Sequence, residues 1–208
     1  MISAGEALAR LREGNARFVA SIRDPAALLD AERRARLAAG QEPFAVVLGC
    51  SDSRVPAELV FDQGFGDLFV IRVAGNIVAP SQVGSVEFAV ERFGSPLVVV
   101  LGHSQCGAIG ATLEQIRQPS PAAGRNLRSI VNRIRPAIEP LVRHSTSGGD
   151  SAALYGEAVR ANIRAAAEHL RTGSEILERV VAAERLRVVG AEYSLESGVV
   201  DFFEGVPD

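Results

Sequence analysis

The sequence predicts an α/β fold: a mainly parallel central sheet flanked by helices, with an N-terminal helical arm and a C-terminal hairpin strand. Two observations predict it. Residues 44–48, 68–73 and 97–101 are short, continuous apolar runs rich in valine, isoleucine or phenylalanine. Unbroken apolar runs of strand length suit parallel strands buried on both faces. Helical stretches alternate with these runs, the pattern of a parallel sheet joined by crossover helices.

Each element follows in turn. Residues 3–20 read as a helix, because Ser3 and Glu6 stand at capping-box spacing and Leu8, Leu11, Asn15 and Phe18 fall near one face. Asp24-Pro25 opens a second helix that Gly40 closes; its Arg33, Arg34 and Arg36 read as a solvated face. Residues 56–61 are helical with proline in the first turn, and 83–93 form a helix ended by Gly94. The third apolar run leads into a helix at 107–115. A loop spans 118–124, helices follow at 125–135, 151–171 and 175–184, and a Ser/Gly-rich loop lies at 145–149. Residues 187–193 form another strand, 194–198 a turn, and 199–203 the returning strand of a hairpin.

The 208 residues, 47% of them hydrophobic, can bury one sizeable core, so a single domain over 1–208 is expected. Residues 1–40 precede the sheet and are expected to form an arm outside it, packed on a partner subunit. The net charge is −3 with signs interspersed, so no basic stripe points to nucleic acid. No apolar run approaches a membrane span, and the first residues lack the layout of a signal peptide. A cytoplasmic protein without a membrane partner is expected. Its two cysteines would stay reduced there, as metal ligands, a nucleophile or plain core.

Both cysteines follow apolar runs. Val46-Val47-Leu48-Gly49 leads into Cys50, and Val99-Val100-Leu101-Gly102 leads into His103, with Cys106 three residues later. Ligands of parallel sheets bind outside the carboxyl ends of the strands. Two sulfurs and one nitrogen suit zinc, and three protein ligands leave a fourth position open, as catalytic sites do. His144 and His169 lie far along the chain and read as surface or core histidines. Asp52 and Arg54 follow Cys50 closely. A carboxylate there can orient a metal-bound water, or take the open position itself unless the arginine holds it away. A nucleophilic Cys50 lacks a phosphate cradle, and Asp52 would repel a phosphate. A Cys50–Cys106 redox pair stays open, although no C-x-x-C is present.

These residues resemble the β-class carbonic anhydrases of bacterial, plant-like type. The resemblance rests on Cys50-Ser51-Asp52-Ser53-Arg54 with Gly102-His103-Ser104-Gln105-Cys106-Gly107. It extends to Asp67 through Asn76, Gly84 through Val90, and Glu13-Gly14-Asn15-Ala16-Arg17-Phe18. It implies one Zn²⁺ per chain on Cys50, His103 and Cys106, and an Asp52–Arg54 dyad. The implied reaction is the reversible hydration of carbon dioxide to bicarbonate and a proton by zinc-bound hydroxide. It implies a dimer whose N-terminal helices wrap the partner, or a tetramer built from it. Gln41, Gly107, Phe69, Ala74 and Phe88 match substrate-binding positions, some from across the dimer. Phe88 stands where tyrosine is common, and Ala74 where a larger aliphatic can occur. Hydrolysis of carbonyl sulfide or carbon disulfide on the same site, or a non-catalytic zinc module, are the alternatives.

Overall fold

A computed structural model describes residues 2–22, 31–119, 124–144 and 151–207. Its centre is a five-stranded sheet of β1 (Ala45–Gly49), β2 (Leu68–Arg72), β3 (Leu97–His103), β4 (Arg187–Tyr193) and β5 (Val200–Glu204). The strand order is β2-β1-β3-β4-β5; the first four are parallel, and β5 returns antiparallel on β4. The α/β class, the parallel sheet and the closing hairpin are thus as the apolar runs predict.

Every residue of β1 and β3 is buried, and alternate side chains feed two cores. One face carries Val46, Leu48, Val98, Val100 and Val188. It is covered by α4 (Pro80–Phe93), α5 (Gly107–Arg117), α6 (Arg125–His144), α7 (Ser151–Thr172) and α8 (Glu175–Ala182). The other face carries Ala45, Val47, Leu97, Val99, Leu101 and Val189. It meets α1 (Ala4–Val19), α3 (Ala57–Val60) and Phe202 of β5.

The capping box forms as its spacing predicts: Ser3 Oγ accepts from the Glu6 amide, and Glu6 Oε2 accepts from the Ser3 amide at 2.7 Å. The arm departs from expectation. Ala7, Leu8 and Leu11 of α1 are buried against the sheet of the same chain. Asn15 clamps the helix, donating to the carbonyls of Val60 and Gly198 and accepting from the Val200 amide. By contrast α2 (Ala31–Leu37) buries none of its residues. Its Arg33 is no simple solvated face: it pairs with Asp67 at 2.8 Å and donates to the Phe65 carbonyl, while Arg10 takes the other Asp67 oxygen. The start of the second helix at Asp24-Pro25, residues 120–123 of the 118–124 loop and the 145–149 loop lie outside the described residues.

Gly14 lets α1 approach. A Cβ built there would stand 1.8 Å from the Phe61 carbonyl oxygen. Alanine favours a helix by about 1 kcal/mol over glycine, but a backbone clash on this scale costs about 1–3 kcal/mol or more. Gly14→Ala is therefore expected to lower the melting temperature, by roughly 2–12 °C for a chain of this size. An unchanged or raised melting temperature in a calorimetric scan would show that α1 does not need this contact.

The helix predicted at 125–135 runs on to His144 through Pro136 and Pro140. Both prolines are exposed, as is Asn132, whose carbonyl loses its helical partner to Pro136. Solvent can satisfy that carbonyl, so the usual penalty of an interior proline falls.

Candidate metal centre

Three chain segments meet beyond the carboxyl ends of β1 and β3. Cys50 follows Gly49 directly, His103 is the last residue of β3, and Cys106 caps α5. Between the last two, Gln105 takes a left-handed conformation (φ 54°), which folds Cys106 back towards His103. Such a backbone costs a non-glycine residue on the order of 1 kcal/mol and tends to sit at functional turns. All three residues are buried, and their ligand atoms lie within 4.8 Å of one another.

The surroundings prepare these atoms for a cation. His103 Nδ1 lies 2.8 Å from the Ser104 carbonyl. A carbonyl only accepts, so Nδ1 carries the proton and Nε2 presents its lone pair. Nε2 is buried and, among the described residues, has no hydrogen-bond partner. The hydrogen bond from the Cys106 thiol holds Cys50 far below the usual thiol range, and the amides of Gly75 and Asp52 add to the effect. The same shared proton, with burial, pushes Cys106 up. A cation placed between the sulfurs would take over the role of that proton. Tetrahedral zinc holds sulfur and nitrogen ligands roughly 3.5–3.8 Å apart. The donor set, its spacing and the orphaned imidazole nitrogen therefore fit a zinc ion.

Asp52 stands at the edge of this cluster, with Oδ2 3.9 Å from His103 Nε2. Arg54 engages both of its oxygens: Nε to Oδ1 at 2.9 Å and Nη2 to Oδ2 at 2.8 Å, with the Arg54 amide on Oδ1 as well. That pairing holds the Asp52 carboxyl well below the usual carboxylate range. Arg72, at the end of β2, donates to the carbonyls of Cys50 and Asp52 and so ties the loop to the sheet.

The remaining predicted residues divide. Gly107 adjoins Cys106 in the first turn of α5, with open space around its Cα. Ala74 adjoins Gly75, whose amide donates to Cys50 Sγ at 3.3 Å. Gln41 lies at the opposite end of β1 from Cys50. Phe69 pairs in register with Val46, four residues before Cys50 and so about 13 Å along the strand. Phe88 joins Phe69 and Phe93 in an aromatic cluster on that flank and is 53% exposed. A single chain does not bring Gln41, Phe69 or Phe88 to the cysteines.

The sequence reading assigns no role to Arg72, Gly75, Tyr155 or Asn162. Arg72 and Gly75 fall inside a quoted motif; Tyr155 and Asn162 carry no local signal at all.

The family model for carbonic anhydrase matches residues 45–200. The chain belongs to the carbonic anhydrase family. Carbonic anhydrase 2 of Mycobacterium tuberculosis is 39% identical over 188 residues, covering 90% of this chain and 87% of that protein. A carbonic anhydrase of Mycolicibacterium smegmatis is 41% identical over 191 residues, covering 92% and 89%. Among solved structures, the β-carbonic anhydrase CcaA superposes with a TM-score of 0.74 at 27% identity, covering 97% of this chain and 93% of that one. The β-class resemblance is thus borne out, and with it the enzyme class, carbonic anhydrase. Among the described residues, no helix is long and apolar enough to cross a membrane.

Proposed function

We propose that this chain hydrates carbon dioxide reversibly to bicarbonate and a proton, at one zinc ion per chain held by Cys50, His103 and Cys106. The observation that carries the reading is the buried Cys50–His103–Cys106 cluster with the ion-paired Asp52 at its edge. Zinc bound there supplies a Lewis acid that draws the pKa of a water at its remaining position towards neutrality.

Two thiolates and a neutral imidazole together offset the divalent charge. Asp52 accepts a hydrogen bond from the attacking water and turns its lone pair towards the substrate carbon. With its carboxyl held so low, Asp52 orients the water without storing the proton, which leaves to solvent or buffer. Arg54 occupies both carboxylate oxygens and keeps Asp52 off the metal position. That pairing counts against a non-catalytic zinc module, which would need Asp52 as a closing ligand. The Gly107 amide is a donor for a bicarbonate oxygen, and Ala74 forms an apolar wall beside Cys50.

Gln41, Phe69 and Phe88 complete the pocket from a second copy of the chain. The exposed Phe88, at the edge of its aromatic cluster with Phe69 and Phe93, supports self-association, as a dimer or tetramer.

Stopped-flow carbon dioxide hydration with a pH indicator, on protein of measured zinc content, tests the reading. One zinc per chain with hydration well above the buffer rate is expected. One zinc with no hydration would sink the proposed reaction, and the sulfur analogues would be assayed in its place.

A further inference from the structure

We infer that helix α7 is the splint of the metal centre, with Tyr155 and Asn162 as positioning residues that set the two cysteine sulfurs. This rests on the proposal that Cys50, His103 and Cys106 hold zinc.

Each of the two acts through the backbone of a single residue, Cys106 for Tyr155 and Gly75 for Asn162. The Tyr155 hydroxyl donates to the carbonyl of Cys106 at 2.5 Å. Asn162 Nδ2 donates to the carbonyl of Gly75 at 2.9 Å, and the amide of Gly75 donates to Cys50 Sγ. Seven residues, two helical turns, separate Tyr155 from Asn162, so they share one face of α7. One helix therefore reaches both sulfur ligands, each by a single intermediate.

The placement of α7 is itself tightly defined. Ile163, next to Asn162, packs where side chains are missing from the sheet: Cβ atoms at Gly102 of β3 and Gly190 of β4 would stand 2.5 and 2.7 Å from its carbons. Gly75 is equally constrained. It takes a left-handed conformation (φ 71°), and a Cβ there would stand 2.8 Å from Ile134 and 2.9 Å from Ala108. Asn162 is buried, so its amide has little freedom to find another acceptor. Groups that orient metal ligands from outside the ligand set commonly change metal affinity by about 10–100-fold when removed.

The test follows zinc release to a chromophoric chelator from the zinc-loaded protein. It compares wild type, Tyr155→Phe, Asn162→Ser and a stability control, Leu170→Ala, whose buried side chain lies about two turns beyond Asn162 on the same helix. Tyr155→Phe and Asn162→Ser are each expected to release zinc on the order of 10-fold faster. Leu170→Ala should melt earlier yet release zinc at the wild-type rate. In cobalt-substituted protein, the sulfur-to-cobalt charge-transfer band is expected to shift in the first two variants only.

Wild-type release rates and an unchanged band in both variants would overturn the inference. So would equally fast release from Leu170→Ala, because α7 would then act only through overall stability. A wild type that binds no zinc would instead overturn the metal reading on which the inference stands.

Discussion

Replacing Cys50 by alanine is expected to empty the metal centre and reduce carbon dioxide hydration to the uncatalysed rate. Cys50 is the thiol most prepared for a cation. Its sulfur accepts from the amides of Gly75 and Asp52, and the neighbouring Cys106 stabilises its charged form further. Loss of this sulfur leaves one thiolate and one imidazole, too few to hold zinc against dilution. Zinc content should fall from one per chain to a small fraction of that. The fold should survive, because Cys50 lies beyond the end of β1 and contributes little to the strand ladder. Elemental analysis with stopped flow, and a melting curve in chelator for both proteins, checks the result. A metal-loaded, active Cys50→Ala enzyme would remove Cys50 from the ligand set.

Asp52→Asn separates orientation from metal binding. Zinc should stay at one per chain, since the three ligands are untouched. Hydration should fall on the order of 10²-fold, the scale of misplacing a reacting group. Asparagine keeps the shape but loses the charge that holds both nitrogens of Arg54. Its amide nitrogen also donates where the carboxylate accepted, so the attacking water loses its fixed lone-pair direction. Full activity in this variant would reduce the Asp52–Arg54 pair to a loop fastener.

The two expectations differ in how plainly the sequence declares them. Cys50, His103 and Cys106 are legible because their chemistry is written in residue type and in position after an apolar run. The strands are legible for the same reason: burial on both faces leaves an unbroken apolar signature in β1 and β3. The second half of α6 is hidden, because Pro136 and Pro140 lower helix propensity while solvent on that face removes most of the cost. Tyr155 and Asn162 are hidden for a deeper reason. They act on backbone carbonyls 49 and 87 residues away, and a carbonyl has no letter in the sequence. Gln41, Phe69 and Phe88 match substrate positions by motif, yet within one chain they lie at the far end or flank of the sheet, away from the cysteines, and a motif carries no distance.

The motif around Gly14 and Asn15 has a consequence in time. Asn15 closes its clamp on Gly198 and Val200, 183 and 185 residues downstream. At roughly 5–20 residues per second, a ribosome needs about 10–40 s to make that stretch. Throughout that interval α1 waits with Leu8 and Leu11 lacking their finished sheet. The Asn15 clamp on α1 thus closes only after β5 has been made, and the nascent chain must shield the apolar stripe of α1 until that hairpin arrives.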